Sequence, residues 1–576
     1  MRLNLSTQAL AHMSARRPWI TIGIWVLVFL ISGFLTSTLL ADGLTTEFVF
    51  TSKPESQQAV DLTEEIRGPT GTNEVVIVRS DTLTVDDPAF EQVVQGLSED
   101  LAALGPNVIK EGTLTNYYLS RDESLVSDDR RTTILPFTMA GEFDDASDNI
   151  DKVIEIVDEA REQSQLDVLI TGQATVGQDF QEVSESDLLT GEAFGVPIAL
   201  VILVLVFGAV VAAFIPVVLA AVSIVVALGV SALVGQAFQL SFFVTNMITM
   251  IGLAVGIDYS LFVVARYREE RARGLEKMQA IERAGATANR TVVFSGLTVV
   301  LALIGLMLLP FNVYIALGLG AIFVVIASVL AALTLLPAIL SLLGDSVNKL
   351  AIPWIGRLQA RYDETQHGGF WDLVSHTVMR RPAVSLLLAG GLLIAAAIPV
   401  FDLNIGFAGV STMPDGIRSK EGFLILDQQF SAGEVTPAEI VIDGDIDSPP
   451  VQTAIERLKG AMAADPAFSV PRPLETNTDG TLGLLSVPVA GDSTSQGSQD
   501  AIKRLREQYI PAAFEDTPAR VYVDGETAYN LDFFNLIRQR APILLAFVLG
   551  ISFLLLMLVF RSLIVPAKAV TSRQVV

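Results

Sequence analysis

The chain has 576 residues, about half of them hydrophobic, and a formal charge of −25. It has no cysteine and only three histidines, His12, His367 and His376. This excludes disulfide frameworks, thiolate zinc sites and cysteine nucleophiles, and leaves no basis for a metal site or a Ser-His-Asp triad. A nucleic-acid partner would demand a basic face, and none is visible, so no nucleic acid and no cofactor are expected.

Apolar residues are segregated into runs of about 20, the length that crosses a bilayer. Spans are expected near 19–40, 195–214, 216–236, 242–266, 290–309, 314–343, 382–401 and 541–560. This predicts a polytopic α-helical membrane protein. The first run follows Arg16-Arg17 but is too long for a signal-peptide core and has no A-x-A site after it, so it reads as a retained span. Phe214-Ile215-Pro216 carries no charge and predicts a tight hairpin, with Pro216 starting the third span. Pro337 is expected to kink the sixth.

Two acidic stretches, 41–190 and 402–540, interrupt the spans. In the first, strands are expected at Glu74–Val78, Thr132–Phe137 and Asp167–Ile170. Helices are expected at Asp87–Leu104, capped by Asp86 or Asp87, and at Asp144–Gln163. In the second, strands are expected at Ala438–Ile442, Leu482–Val489 and Arg520–Val523, with helices at Pro450–Ala464 and Gln499–Tyr509. Both orders suggest split βαβ, ferredoxin-like α/β domains.

Basic residues set the orientation. Arg2, Arg16 and Arg17 precede the first span; Arg266, Arg268, Arg271, Arg273, Lys277, Arg283 and Arg290 lie between the fourth and fifth; Arg380 and Arg381 precede the seventh; Arg561 follows the eighth. Placing all of these in the cytoplasm puts the N-terminus and the linker 344–381 inside and both acidic domains outside. Segment Arg266–Arg290 reads as a cytoplasmic helix, with Ala280, Ile281 and Ala284 able to lie on the membrane surface.

The chain also repeats itself. Arg16-Arg17-Pro18 matches Arg380-Arg381-Pro382, and Val168–Gly172 resembles Val521–Gly525. Asp179-Phe180 matches Asp532-Phe533, and Val206-Phe207 matches Val559-Phe560, at one constant offset from Gly172 and Gly525 onward. A constant offset across domain and span argues for an internal two-fold repeat. The first unit then has six spans and the second only two, about four short, which reads as a C-terminally truncated or interrupted sequence.

The fourth span, Met247–Arg266, holds one carboxylate, Asp258, followed by Tyr259. An ionised Asp in hydrocarbon costs at least about 2.5–3.5 kcal/mol, so Asp258 is expected to face protein or water. A carboxylate that gains and loses a proton there is a proton carrier, and Tyr259 can relay. Gly252 and Gly256 form a G-x-x-x-G that lets another helix approach. Ser295 and Thr298 on the fifth span are possible relay support, with bonding back to their own helix the commoner outcome for such residues.

Gly256-Ile-Asp-Tyr-Ser260, Phe262-Val-Val-Ala-Arg-Tyr-Arg-Glu-Glu-Arg271 and Arg290-Thr-Val-Val-Phe-Ser-Gly296 resemble the fourth and fifth spans of MMPL-type transporters of the resistance–nodulation–division (RND) superfamily. The resemblance implies a proton-motive-force-driven exporter of lipids or other hydrophobic molecules in a bacterial inner membrane. The two outer domains would be its porter domains, and Asp258 and Tyr259 half of its proton relay. It implies membrane lipids, a hydrophobic substrate and protons as partners, and no enzyme activity. In that family a second Asp-Tyr pair in the tenth span faces the first; that span is absent from this sequence, so a homo-oligomer or a second chain would have to supply it. The alternatives are a protein-export accessory of the same superfamily, or a non-transporting scaffold or lipid sensor.

Overall fold

The computed structural model describes residues 6–68, 71–350, 370–399, 410, 413–430, 437–491, 493–564 and 566. The chain divides into two compact units, one of Met1–Thr45, Glu185–Asn404 and Arg540–Val576, the other of Thr46–Ser184 and Ile405–Gln539.

The first unit is helical. Among the described residues of the chain, seven helices are long and apolar enough to cross a membrane: Pro18–Leu39, Gln173–Phe207, Val210–Gly235, Phe243–Ala272, Lys277–Leu308, Asn312–Asn348 and Glu526–Val559. An eighth candidate, Pro382–Ala397, follows Val374–Arg380 across a 104° bend; the expected end of that span, residue 401, lies outside the described residues. The chain is a multi-pass membrane protein.

Three local expectations are corrected. The turn between the second and third spans falls at Gly208 (φ 66°) and extended Ala209, and Pro216 lies inside the third span. Gly208 supplies the left-handed conformation that closes the hairpin early. Pro216 then leaves one carbonyl unbonded, which close packing inside a membrane bundle tolerates.

There is no surface-lying helix between the fourth and fifth spans. The chain turns at Gly274 (φ 89°), and the fifth span starts at Lys277. Ala280, Ile281 and Ala284 are buried, not on the membrane surface. An N-terminal helix, Thr7–Arg16, covers this face. A Cβ on Gly285 would stand 2.7 Å from Cβ of Ala11, and His12 meets Glu282 at 2.7 Å.

At Pro337 the helix widens instead of simply kinking. Residues Ala331–Leu335 form a π turn just ahead of it. Pro337 offers no N–H to the preceding turn, and the wider ring absorbs the mismatch. Thr334, in that turn, accepts the indole N–H of Trp25 at 3.0 Å.

The second unit runs α1 (Glu55–Arg67), β1 (Asn73–Arg79), α2 (Pro88–Ala103), β2 (Thr132–Thr138), α3 (Phe143–Gln163), β3 (Asp167–Gly172), then α4 (Arg418–Gln429), β4 (Ala438–Asp443), α5 (Pro449–Ala463), β5 (Glu475–Thr476), β6 (Leu482–Val487), α6 (Gln496–Arg504) and β7 (Arg520–Asp524). There are two antiparallel sheets, ordered β2-β1-β3 and β5-β6-β4-β7. In each the first strand of its half is central, because the two later strands pair on either side of it. Val76, Ile77, Phe90, Leu101, Leu135, Ile150 and Ile170 fill the first core. Ile440, Ile442, Ile455, Leu458, Leu485 and Ile502 fill the second.

Helix α2 corrects its expected cap. Asp87 stands at the capping position, but its carboxylate accepts the N–H and hydroxyl of Thr84, at 2.7 and 3.0 Å, while Asp86 pairs with Arg130.

Helices α1 and α4 were not among the expected elements, and these tie the halves together. Each packs on the sheet of the other half. Leu426 of α4 belongs to the first core, and Ala59 of α1 packs with Val441 and Leu484 of the second sheet. A buried Asp holds each helix start. Asp532 accepts the N–H of Ser56 at 2.9 Å and takes both Arg506 nitrogens at 2.6 and 3.1 Å. Asp179 accepts the N–H of Ser419 at 3.0 Å and meets Arg418 Nε at 3.3 Å. At the far end of α1, Arg67 reaches Glu439 and Glu475, each at 2.8 Å. Bidentate guanidinium–carboxylate pairs of this kind fix geometry as well as charge.

Candidate functional site

The fourth span, Phe243–Ala272, sorts its side chains by helical period. Gly252, Gly256, Tyr259, Ser260 and Val263 are buried, whereas Met250, Ala254, Asp258, Phe262 and Ala265 are exposed along one face at three- and four-residue spacing. Asp258 therefore lies on the open face, midway along the helix.

The two glycines bring in the third span. A Cβ on Gly256 would stand 2.8 Å from Cα of Ala220, and one on Gly252 would stand 2.8 Å from a methyl of Val324 on the sixth span. Close approach of backbones is what small residues allow in membrane bundles, where dispersion contacts replace hydrophobic drive. Ser260 stays within its helix and donates to the carbonyls of Gly256 and Ile257, at 2.6 and 2.9 Å.

Tyr259 turns the other way, toward the fifth span. Its hydroxyl lies toward Ser295 and Gly296 of that span. Gly296 makes room for the sixth span: a Cβ there would stand 2.5 Å from a methyl of Val329, and an ordinary 3.7 Å from the Tyr259 hydroxyl. Thr298 takes no part and donates to the carbonyl of Phe294 at 2.8 Å, the back-bonded outcome. The structure thus places Tyr259 with Gly252 and Gly256 on the packed side of the helix, Tyr259 toward Ser295, and Asp258 on the open side. A carboxylate, a phenol and a hydroxyl in sequence can carry a proton; among the described residues no three His, Cys, Asp or Glu side chains converge as a metal site.

At the end of this span, Arg266 pairs with Glu269 and buried Glu270, at 2.7 and 2.6 Å, and Arg268 donates to the carbonyl of Phe207 at 2.8 Å. These basic residues, expected only as markers of topology, also fasten the helix end to the second span.

Comparison with known proteins places this geometry in a family. The sequence profile of the MMPL family matches residues 49–385 and 415–572. The chain is 30% identical to the mycolic acid-containing lipids exporter MmpL11 of Mycolicibacterium smegmatis, over 70% of this chain and 42% of that protein. It is 29% identical to the heme uptake protein MmpL11 of Mycobacterium tuberculosis, over 70% of this chain and 41% of that protein. It is 26% identical to the trehalose monomycolate exporter MmpL3 of the same organism, over 96% of this chain and 61% of that protein. The matched region spans about two fifths of the first of these relatives, 42%. With the profile covering most of its residues, both acidic domains and the spans between them included, the chain belongs to the MMPL family.

Proposed function

We propose that the chain forms a proton-motive-force-driven exporter of lipids or other hydrophobic molecules, set in a bacterial inner membrane with its N-terminus in the cytoplasm. Asp258 takes up the proton, and Tyr259 and Ser295 relay it. The domains at 41–190 and 402–540 are porter domains on the outer side. The chain is an internal duplication, in which 1–40 and 191–343 carry the first six spans, 344–381 is a cytoplasmic linker, and 382–401 and 541–576 carry the second unit's spans.

One observation carries this reading: a carboxylate midway along a membrane helix, next to a tyrosine that turns toward the neighbouring span. A charge in that position is costly and is retained in proteins chiefly for ion or proton movement. Two relatives named for lipid export, and one named for uptake of heme, support a hydrophobic cargo. The like order of the two sheets supports duplication.

The test uses the full-length protein in liposomes that hold a pH-sensitive dye, with an imposed pH gradient and a pyrene-labelled acyl glycolipid as probe. Asp258→Asn is expected to abolish gradient-driven movement of the probe and the accompanying proton flux, while thermal stability stays unchanged. Transport by Asp258→Asn at the native rate would refute the relay.

A further inference from the structure

The joint between β3 and the second span holds a carboxylate that the relay does not use. Glu74, on the central strand β1, is fully buried at 0% exposure. Its Oε1 accepts the backbone N–H of Ala174 at 2.7 Å and of Thr175 at 3.3 Å, and its Oε2 accepts the Thr175 hydroxyl at 2.5 Å. These donors form the first turn of Gln173–Phe207, a helix that runs without interruption from the soluble unit into the second span.

Gly172 makes the arrangement possible. It pairs with Glu74 across the ladder, and a Cβ there would stand 2.5 Å from the Asn73 carbonyl oxygen and from Glu74 Oε2. The equivalent joint in the other half, at Gly525, faces Pro437 and Ala438. Its carboxylate is Asp524, on the strand itself and pushed up by burial to about 7, and not a residue across the ladder from the glycine.

The charges around it do not balance. Asp179, on the same helix, is buried at 3% exposure and is held by Arg418 of α4. Arg418 also faces Asp158 of α3 at 3.5 Å and Glu182 at 3.9 Å. Asp179 thus shares its guanidinium with two further acids, while the hydrogen bonds to Glu74 come from neutral donors, and burying a charge held in this way is expensive.

We propose that Glu74 is a proton-responsive anchor: ionised, it holds the first turn of the helix Gln173–Phe207 to β1, and on taking up a proton it lets that turn go. Burial, the largest influence, pushes its carboxyl up. Hydrogen bonds from Thr175 and Ala174 pull it back, Asp179 adds a further upward push, and the balance stands at about 7. The anionic form makes charge-assisted bonds at the positive end of a helix; the neutral acid loses that charge, and its protonated oxygen must donate to the Thr175 hydroxyl in place of accepting from it. Glu74 is a positioning residue, since it acts on the helix and not on the cargo. The proposal does not depend on Asp258 or on transport, so it fails or stands separately from the relay.

The test is amide hydrogen exchange of the full chain in lipid nanodiscs from pH 5.5 to 8.5, corrected for the intrinsic rate at each pH. Protection in segment 173–180 of the native protein is expected to fall roughly tenfold as pH drops through about 7, the size of one lost charge-assisted cap. Glu74→Gln should remove the step. Thr175→Val keeps the carboxyl but deletes a hydroxyl donor, and should move the midpoint upward. A native profile without a step, a step that survives Glu74→Gln, or a midpoint unmoved in Thr175→Val would each overturn the proposal. If Glu74→Gln does not fold, the Thr175→Val midpoint decides alone.

Discussion

Replacing Glu74 by Gln should change the stability of the protein in a way that reverses with pH. Burial raises the Glu74 carboxyl from its ordinary 4.5 to about 7 in the folded chain. The folded state therefore holds this proton more tightly than the unfolded state does, where the carboxyl is in water, but less tightly than a state in which the turn has let go while Glu74 stays buried without its donors. Its contribution to stability is fully present below pH 4.5 and is lost as pH rises through about 7. The difference in affinity amounts to about 3 kcal/mol, at about 1.4 kcal/mol for each unit. Glutamine keeps the shape and an acceptor and has no charge to desolvate, so it escapes that loss. Relative to the native protein, Glu74→Gln should gain stability by up to about 3 kcal/mol between pH 5 and pH 8. In a unit of this size that is a relative shift of roughly 5–10 °C in melting temperature. The assay is calorimetry of the full chain in detergent at both pH values. Tryptophan fluorescence would not serve, because Trp19, Trp25, Trp354 and Trp371 all lie outside the unit that holds Glu74. A difference between variant and native protein that is the same at pH 5 and pH 8 would refute the reasoning.

Other substitutions test packing and pairing. Gly256→Val should destabilise the membrane unit by at least about 1–3 kcal/mol, because its first added carbon meets the backbone of Ala220 at 2.8 Å and backbone cannot step aside cheaply; an unchanged melting temperature would contradict this. Asp532→Ala should cost roughly 2–4 kcal/mol, less than a fully orphaned buried charge because Glu55 still meets Arg506 at 3.0 Å. It should also loosen α1, read as faster amide exchange over 55–67. Gly525→Ala should cost at least about 1–2 kcal/mol, since Gly525 has φ 104° and a Cβ would stand 2.5 Å from the Pro437 carbonyl oxygen; denaturant titration reads it directly.

The sequence revealed most where physics left the chain little choice. A bilayer demands about 20 apolar residues per span, so the spans stood out. The strands beginning at Asn73, Thr132, Ala438 and Leu482 did as well, being apolar runs bounded by turn residues. Helices α1 and α4 were missed because their apolar residues are few, and the surfaces they cover lie hundreds of residues away in the chain. Ala59, Leu62 and Ile66 do repeat at helical spacing, a signal that was there to be read. At the site, Asp258 and Tyr259 were legible from chemistry alone. Which way each side chain turns was not, and the structure separates Ser295, near the Tyr259 hydroxyl, from Thr298, bonded to its own helix. Glu74 looked like the ordinary polar start of a strand. Its signal was an absence: the helix from Gln173 begins without Ser, Thr, Asp or Asn at its cap, so its free N–H groups had to find an acceptor elsewhere.

The exposed face of the fourth span poses the sharpest remaining question, and the lack of native cysteine makes it answerable. Ala254, Asp258 and Phe262 lie in a row on that face, while Ser260 and Val263 are buried behind it. In a membrane such a face meets lipid, protein or water. Lipid is the costly choice for Asp258, since an ionised Asp in hydrocarbon costs at least about 2.5–3.5 kcal/mol. A thiol reacts with a charged maleimide only where water lets it ionise and the reagent reach it. If protons reach Asp258 from solution, a single Cys at 258 must react, and one at 260 must not. Asp258→Cys and Ser260→Cys, each in the full-length protein in native membranes, give the comparison, with Phe262→Cys marking how far the water extends. Reaction at 258 but not at 260 fits a hydrated route to the carboxylate. Equal rates at the two positions would mean that the helix is loose or its burial misassigned. Silence at both would leave Asp258 sealed from water, and a sealed carboxylate cannot load a proton from outside.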